Sequence, residues 1–136
     1  MTRVFVDTGG FFAVLVAEDA NHAHAARLFG RAKRETWRLM TTNAVVYETH
    51  ALLVNRVRNG RDVALAFLAS IDAGLALVER VRIEDDRSAV EILRSHEDKT
   101  YSFCDALSFA VMERLRIDRA IAFDRHFHDY GRFTIL

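Results

Sequence analysis

Val4-Phe5-Val6-Asp7-Thr8-Gly9-Gly10 is the stretch that decides the fold. Residues 3–7 are β-branched and aromatic, and they stop at an aspartate followed by a turn-like Thr8-Gly9-Gly10, so the spacing predicts a buried strand and then a turn. Ala120-Ile121-Ala122-Phe123-Asp124 repeats the pattern late in the chain: a short apolar run ending in an aspartate. Between these two runs, short apolar strands alternate with helical segments. That alternation predicts an α/β fold, a parallel sheet covered on both faces and joined by right-handed crossovers.

Working outward, Phe11 to Val16 reads as a short buried helix, and Asn21 to Arg34 as a second helix with Ala23, Ala26 and Phe29 turned inward. Leu39-Met40-Thr41-Thr42 fits a strand. Asn43 reads as the cap of a helix running towards Val57 and ended by Asn59-Gly60. A further helix is expected over Arg61–Ile71, a strand within Leu75–Ile83, and a helix over Asp86–Arg94 capped by Asp85. Ser102 and Asp105 stand in capping-box spacing at the start of a helix whose apolar side continues through Phe109, Met112 and Leu115. Ala120–Phe123 is the clearest late strand and Phe133–Leu136 an edge strand. With no proline, internal repeat or low-complexity linker, the 136 residues read as one domain spanning 1–136.

Lys+Arg and Asp+Glu number 19 each, so net charge announces no nucleic-acid binder, and any such role needs a local patch. Cys104 is the lone cysteine, which excludes an intrachain disulfide framework and suits a reducing interior. Met1-Thr2-Arg3 leads straight into the first strand without a leader-like segment, and no apolar run is long enough to span a bilayer. The expectation is a cytoplasmic protein with no membrane partner.

The chemistry lies in four acids. In an open parallel sheet, ligands gather beyond the carboxyl ends of the strands, where Asp7 and Asp124 are placed. Glu48 shares its helical face with Ala44, Val45, Ala51 and Leu52, and an inward glutamate among apolar neighbours needs a partner or a cation. Asp105 completes the Ser102 cap and can offer its second oxygen elsewhere. Each acid alone has an ordinary structural role as a cap or an ion-pair partner. Together, Asp7, Glu48, Asp105 and Asp124 would repel one another and raise at least one pKa unless a cation intervenes. The simplest cation is Mg²⁺, with Mn²⁺ a substitute, because both take oxygen ligands. One ion would activate water, and a second would stabilise a leaving oxygen. Thr8 and Ser102 are placed to orient water or hold a carboxylate. Arg125 is the best single candidate for a phosphate contact, ahead of the basic run Arg27, Arg31, Lys33, Arg34 and Arg38.

These pieces, Val4-Phe5-Val6-Asp7-Thr8, Glu48, Tyr101-Ser102-Phe103-Cys104-Asp105-Ala106 and Ala122-Phe123-Asp124-Arg125-His126-Phe127, resemble in order and spacing the PIN-domain ribonucleases, in particular the VapC-like toxins of type II toxin–antitoxin pairs. The resemblance implies a three-layer PIN fold with a central parallel sheet of order 3-2-1-4-5. It implies Asp7, Glu48 and Asp105 as the main metal-centred acids with Asp124 completing the quartet, Thr8 and Ser102 as supporting hydroxyls, and Phe127 as a packing residue. His126 stays unassigned. The implied reaction is Mg²⁺- or Mn²⁺-dependent endonucleolytic cleavage of RNA leaving 5′-phosphate and 3′-hydroxyl ends. The implied partners are RNA, a small cognate antitoxin and a second copy in a homodimer. The antitoxin surface would lie near the first helices and the 43–57 helix, where Phe11, Phe12, Leu15, Leu53 and Val57 serve either the core or that surface.

Other readings stand beside it. An RNA-processing nuclease of the same fold without a toxin role, or a non-catalytic Mg²⁺-binding signalling or interaction domain, would use the same acids. A phosphoryl-aspartate phosphatase is weakened because position 9 is Gly9 rather than a second aspartate. A response receiver lacks the paired early acids and the late-strand lysine.

Overall fold

The computed structural model describes every residue from Met1 to Leu136. Five strands, β1 (Arg3–Val6), β2 (Arg38–Thr42), β3 (Leu77–Glu79), β4 (Arg119–Ile121) and β5 (Thr134–Ile135), form one parallel sheet in the order β3-β2-β1-β4-β5. The register is fixed by pairs such as Arg3 with Arg38 and Phe5 with both Met40 and Ala120. The helices are α1 (Thr8–Leu15), α2 (His22–Arg34), α3 (Asn43–Arg56), α4 (Gly60–Asp72), α5 (Ile83–Ser95), α6 (Phe103–Leu115) and α7 (Arg125–Tyr130). α1 packs on α2, α3 on α4, and α5 on α6. The order 3-2-1-4-5 and the parallel α/β architecture are those expected. No helix is long and apolar enough to cross a membrane.

β1 is the centre of the sheet, and Val4, Phe5 and Val6 are all buried. Such a strand loses every apolar side chain from water, which is why its sequence is a continuous apolar run rather than an alternation. An aromatic group closes the β4–β5 side. Phe109 of α6 stacks on Tyr130 of α7 at 4.2 Å and meets Phe127 edge-on at 4.9 Å, while Phe127 also stacks on Phe5 of β1 at 6.4 Å. Phe127 is fully buried and therefore a packing residue, as expected. This group locks α6 and α7 onto the central strand, and those two helices carry the late acids.

Several local expectations are corrected. Thr8-Gly9-Gly10 is the first turn of α1 rather than a turn ahead of it, so the helix expected over Phe11–Val16 runs from Thr8 to Leu15. Gly10 stands where a Cβ would come within 2.8 Å of the Ile121 carbonyl and 3.1 Å of Val6, so its role is close helix–sheet approach. On α2 the inward residues are Ala25, Leu28 and Ala32; Ala23 and Ala26 are exposed and Phe29 is half-buried. Thr42, not Asn43, caps α3, its hydroxyl accepting the Val45 N–H at 3.2 Å, while Asn43 Oδ1 accepts from the Val81 N–H at 2.8 Å. Gly60 opens α4 rather than closing α3, and a Cβ there would sit 2.3 Å from the Leu53 carbonyl. Asp85 is the third residue of α5 rather than its cap, accepting the Arg82 N–H at 2.9 Å and gripping Arg114 of α6 at 2.8 and 2.9 Å. β4 ends at Ile121, earlier than Phe123. Phe11 and Leu53 are core residues, with Phe12, Leu15 and Val57 packed partly against them.

Candidate functional site

β1 delivers Asp7 to the carboxyl end of the sheet, where its N–H bonds the Ile121 carbonyl of β4 at 3.1 Å. α1 begins at the next residue, so Asp7 is that helix's cap in extended backbone, and the chain cannot carry it away from the crevice. Asp7 is only 4% exposed. Its carboxyl is pushed up from 3.8 to about 8: burial is the main cause, resisted by the Thr8 N–H and reinforced by the charges of Asp105, Glu48 and Asp124. All three other acids therefore act on the same buried carboxyl, and the structure brings the quartet to one place.

Asp105 comes from the first turn of α6. The capping box forms as its spacing predicts: Ser102 Oγ accepts the Asp105 N–H and Asp105 Oδ2 accepts the Ser102 N–H, each at 3.0 Å. Asp105 is 7% exposed. Asp124 caps α7, one oxygen accepting the His126 N–H at 2.9 Å, and it lies at the open rim. His126 Nδ1 stands 2.9 Å from Asp105 Oδ2 and 3.5 Å from Asp124 Oδ1. One donor atom from each of these three residues falls within 4.8 Å of the others.

Glu48 departs from its expected setting. It is exposed on the flank of α3 rather than sunk among apolar neighbours, because Ala44 and Leu52 form a half-buried rim and Ala51 is exposed. It forms no ion pair with an arginine. Its carboxylate faces the crevice beside the Cys104 thiol, which burial, then Glu48 and Asp7, push well above its ordinary value. Cys104 is thus an unreactive neutral group lining the site. Arg125 is exposed at the start of α7 with no carboxylate partner, and Arg27, Arg31, Lys33, Arg34 and Arg38 of the basic run are all exposed, with Leu28, Ala32 and Trp37 buried between them.

Two residues of this crevice escape a reading of the sequence. Cys104 joins it because it follows the Ser102 cap on the same helical turn as Asp105. His126 joins it because Asp124 starts a helix, which turns the ring back over Asp105; the Asp124-Arg125-His126 spacing is the signal, and it has meaning only once a helix start at Asp124 is known.

The donor set suits a hard divalent ion. It is made of carboxylates, it includes a buried acid that is costly to ionise without a counter-charge, and beside that acid the Thr8 hydroxyl is buried without any hydrogen-bond partner.

Comparison with known proteins agrees with this geometry. The PIN-domain family model matches residues 4–132. The 23S rRNA-specific endonuclease VapC20 of Mycobacterium tuberculosis is 40% identical over 128 residues, covering 94% of each chain. A crystal structure of that protein, named there as a sarcin–ricin loop cleaving toxin, superposes with a TM-score of 0.85 at 38% identity, covering 95% of each chain. The VapBC2 complex from Rickettsia felis, bound to a DNA fragment from its promoter, shares the fold at a TM-score of 0.70 and 8% identity, covering 99% of this chain and 98% of that one. Match length, identity and sheet order agree: the chain belongs to the PIN-domain family and is VapC-like.

Proposed function

We propose that this chain is a Mg²⁺- or Mn²⁺-dependent endoribonuclease, the toxin of a toxin–antitoxin pair, acting through Asp7, Glu48, Asp105 and Asp124. The observation that carries this reading is the buried Asp7 carboxyl, held at about 8 by burial and by three acids converging on it. A fold that keeps such a cost without a compensating cation would be poorly optimised. The similarity to a 23S rRNA-specific endonuclease supports ribosomal RNA as the substrate class.

Asp7, Asp105 and Asp124 would hold the ion, with Glu48 closing the solvent side. A bound divalent ion supplies positive charge that makes water a better nucleophile and offsets the charge building on the phosphate. The protein's own part is positional. The Asp7 backbone is fixed between β1 and α1, and Asp105 is fixed by its capping box, so both carboxylates are set before substrate arrives. Water adds to phosphorus, the bond to the 3′ oxygen breaks, and that oxygen leaves as a hydroxyl, giving 5′-phosphate and 3′-hydroxyl ends. No protein nucleophile is needed, and Cys104 is unsuited to be one. Arg125, exposed and unpaired at the rim, is placed to meet a phosphate of the incoming strand.

An antitoxin and a second copy of the chain are the proposed protein partners. Exposed Tyr47 and Val54 on α3 offer apolar surface for one of them. The test is cleavage mapping on ribosomal and total RNA with Mg²⁺ or Mn²⁺. Wild type should give discrete cuts that chelation abolishes and that Asp7→Asn and Asp105→Asn do not make. Wild-type-like cutting by both variants would overturn the assignment.

A further inference from the structure

We infer that His126 is a positioning residue, an anchor that fixes which oxygen of Asp105 faces the reacting centre; this rests on the endoribonuclease reading above. The hydrogen bonding around residue 126 divides the oxygens of two acids. Asp124 Oδ1 is taken by the His126 backbone N–H at 2.9 Å. Asp105 Oδ2 is taken twice, by the Ser102 N–H at 3.0 Å and by His126 Nδ1 at 2.9 Å. Asp105 Oδ1 and Asp124 Oδ2 have no partner within the protein. Each acid thus spends one oxygen on residue 126, or on its own cap, and keeps the other for a ligand.

The proton on Nδ1 follows from the same contacts. Oδ2 is already an acceptor for the Ser102 amide, so Nδ1 is the donor, and Nε2 lies 3.5 Å from the Thr100 hydroxyl. The ring is not free to turn away. Tyr101 meets it edge-on at 5.4 Å, and Tyr101 is itself held against Phe109 at 5.3 Å. A carboxylate fixed by one amide alone can still swing about its Cβ–Cγ bond. With a second donor on the same oxygen, Oδ1 is left in a single orientation, the device by which outer partners orient metal-binding carboxylates. In this arrangement His126 does not ligate the ion through Nδ1, because ligation would require that nitrogen to lose its proton and its bond to Asp105.

Two measurements test this. Long-range ¹H–¹⁵N correlation should show a proton on His126 Nδ1 in metal-free wild type and still there after Mg²⁺ is added. An Nε2–H tautomer in either state would overturn the inference, and one appearing only with Mg²⁺ would make His126 a direct ligand. The second measurement uses His126→Asn, whose amide nitrogen falls close to Nδ1, and His126→Gln, whose amide lies further out. His126→Asn should keep kcat within about threefold of wild type. His126→Gln should lose about 10- to 100-fold in kcat and need more Mg²⁺ for half-maximal rate, with KM for RNA unchanged. Equal loss in both variants, or no loss in His126→Gln, would refute the role. The tautomer is read without any cleavage, so an Nδ1–H ring in a protein that cuts no RNA would sink the proposed function and leave the anchor standing.

Discussion

Replacing Asp7 by Asn should abolish cleavage and, at the same time, make the metal-free protein more stable. Asp7 is 4% exposed and its carboxyl is raised from 3.8 to about 8. Each tenfold change in an ionisation constant is worth about 1.4 kcal/mol, so holding this acid in the folded chain at pH 8 costs at most about 5 kcal/mol relative to a neutral isostere. Water entry and side-chain relaxation reduce that figure, and the buried amide brings its own unmet hydrogen bonds, leaving a gain of roughly 2–3 kcal/mol. For a chain of this length that is a rise in melting temperature of roughly 7–10 °C. Asparagine also serves as a helix cap, so α1 keeps its start. The sign with pH is fixed. A group whose folded pKa lies above its unfolded value contributes full stability below the unfolded value and loses it as pH rises through the folded one. The gap between Asp7→Asn and wild type should therefore open between about pH 4 and pH 8 and stay constant above. The assay is thermal unfolding of both proteins in chelator across that range, repeated with Mg²⁺, which should narrow the gap by stabilising wild type alone. An Asp7→Asn protein that melts at or below wild type in chelator at pH 8 would refute the idea that the acid nest is a strained cation site.

Three further outcomes are expected. Adding Mg²⁺ to weakly buffered metal-free protein at neutral pH should release on the order of one proton per chain, because Asp7 must ionise to bind; calorimetry in buffers of different ionisation enthalpy reads this directly. Arg114→Leu should destabilise by about 3–5 kcal/mol in denaturant titration, since Asp85 is 2% exposed and would be left charged without its partner. Burial alone would raise the Asp85 carboxyl, but the Arg114 hydrogen bonds, the Arg82 amide and the two guanidinium charges hold it below the usual range; its contribution is present above the unfolded value near 4 and should be lost as pH falls through the depressed one, a loss that Arg114→Leu should no longer show. Gly60→Ala should cost about 1–3 kcal/mol in the same titration, because its methyl would meet backbone carbonyls of Leu53 and Val54 at 2.3 and 2.8 Å that only a shift of α4 can clear.

What the sequence disclosed, and what it hid, divides along physical lines. β1 and β4 were legible because a strand buried on both faces must be a continuous apolar run, and Asp7 was legible because an aspartate stops that run. The capping box at Ser102 and Asp105 was legible because it is a local rule of spacing. The face of α2 was not. His22–Arg34 does carry one stripe, Ala25, Leu28 and Ala32 with Phe29 beside it, but Ala23 and Ala26 lie outside it, and a side chain as small as alanine marks inside and outside alike. The exposure of Glu48 was hidden too, since of its apolar neighbours only Val45 is in the core while Ala44, Ala51 and Leu52 lie at or near the surface, and a one-dimensional pattern treats them alike. Asp85 could not be distinguished from a cap because its partner, Arg114, lies 29 residues away. His126 needed two facts that only three dimensions supply: a helix starting at Asp124, and Tyr101 behind the ring.

The Arg3 guanidinium binds the Leu115 carbonyl at 2.7 Å across 112 residues of chain, tying the opening strand to the far end of the helix that bears Asp105. The middle of the sheet is thus made first and can be completed only by segments made last. A ribosome that has translated the first two-thirds of this message has produced two of the four acids and none of the framework that would aim them at one another. The acid cluster is therefore completed only once α6 and the start of α7 have joined β1, so a product that stops short of Asp105 carries Asp7 and Glu48 without the other two acids.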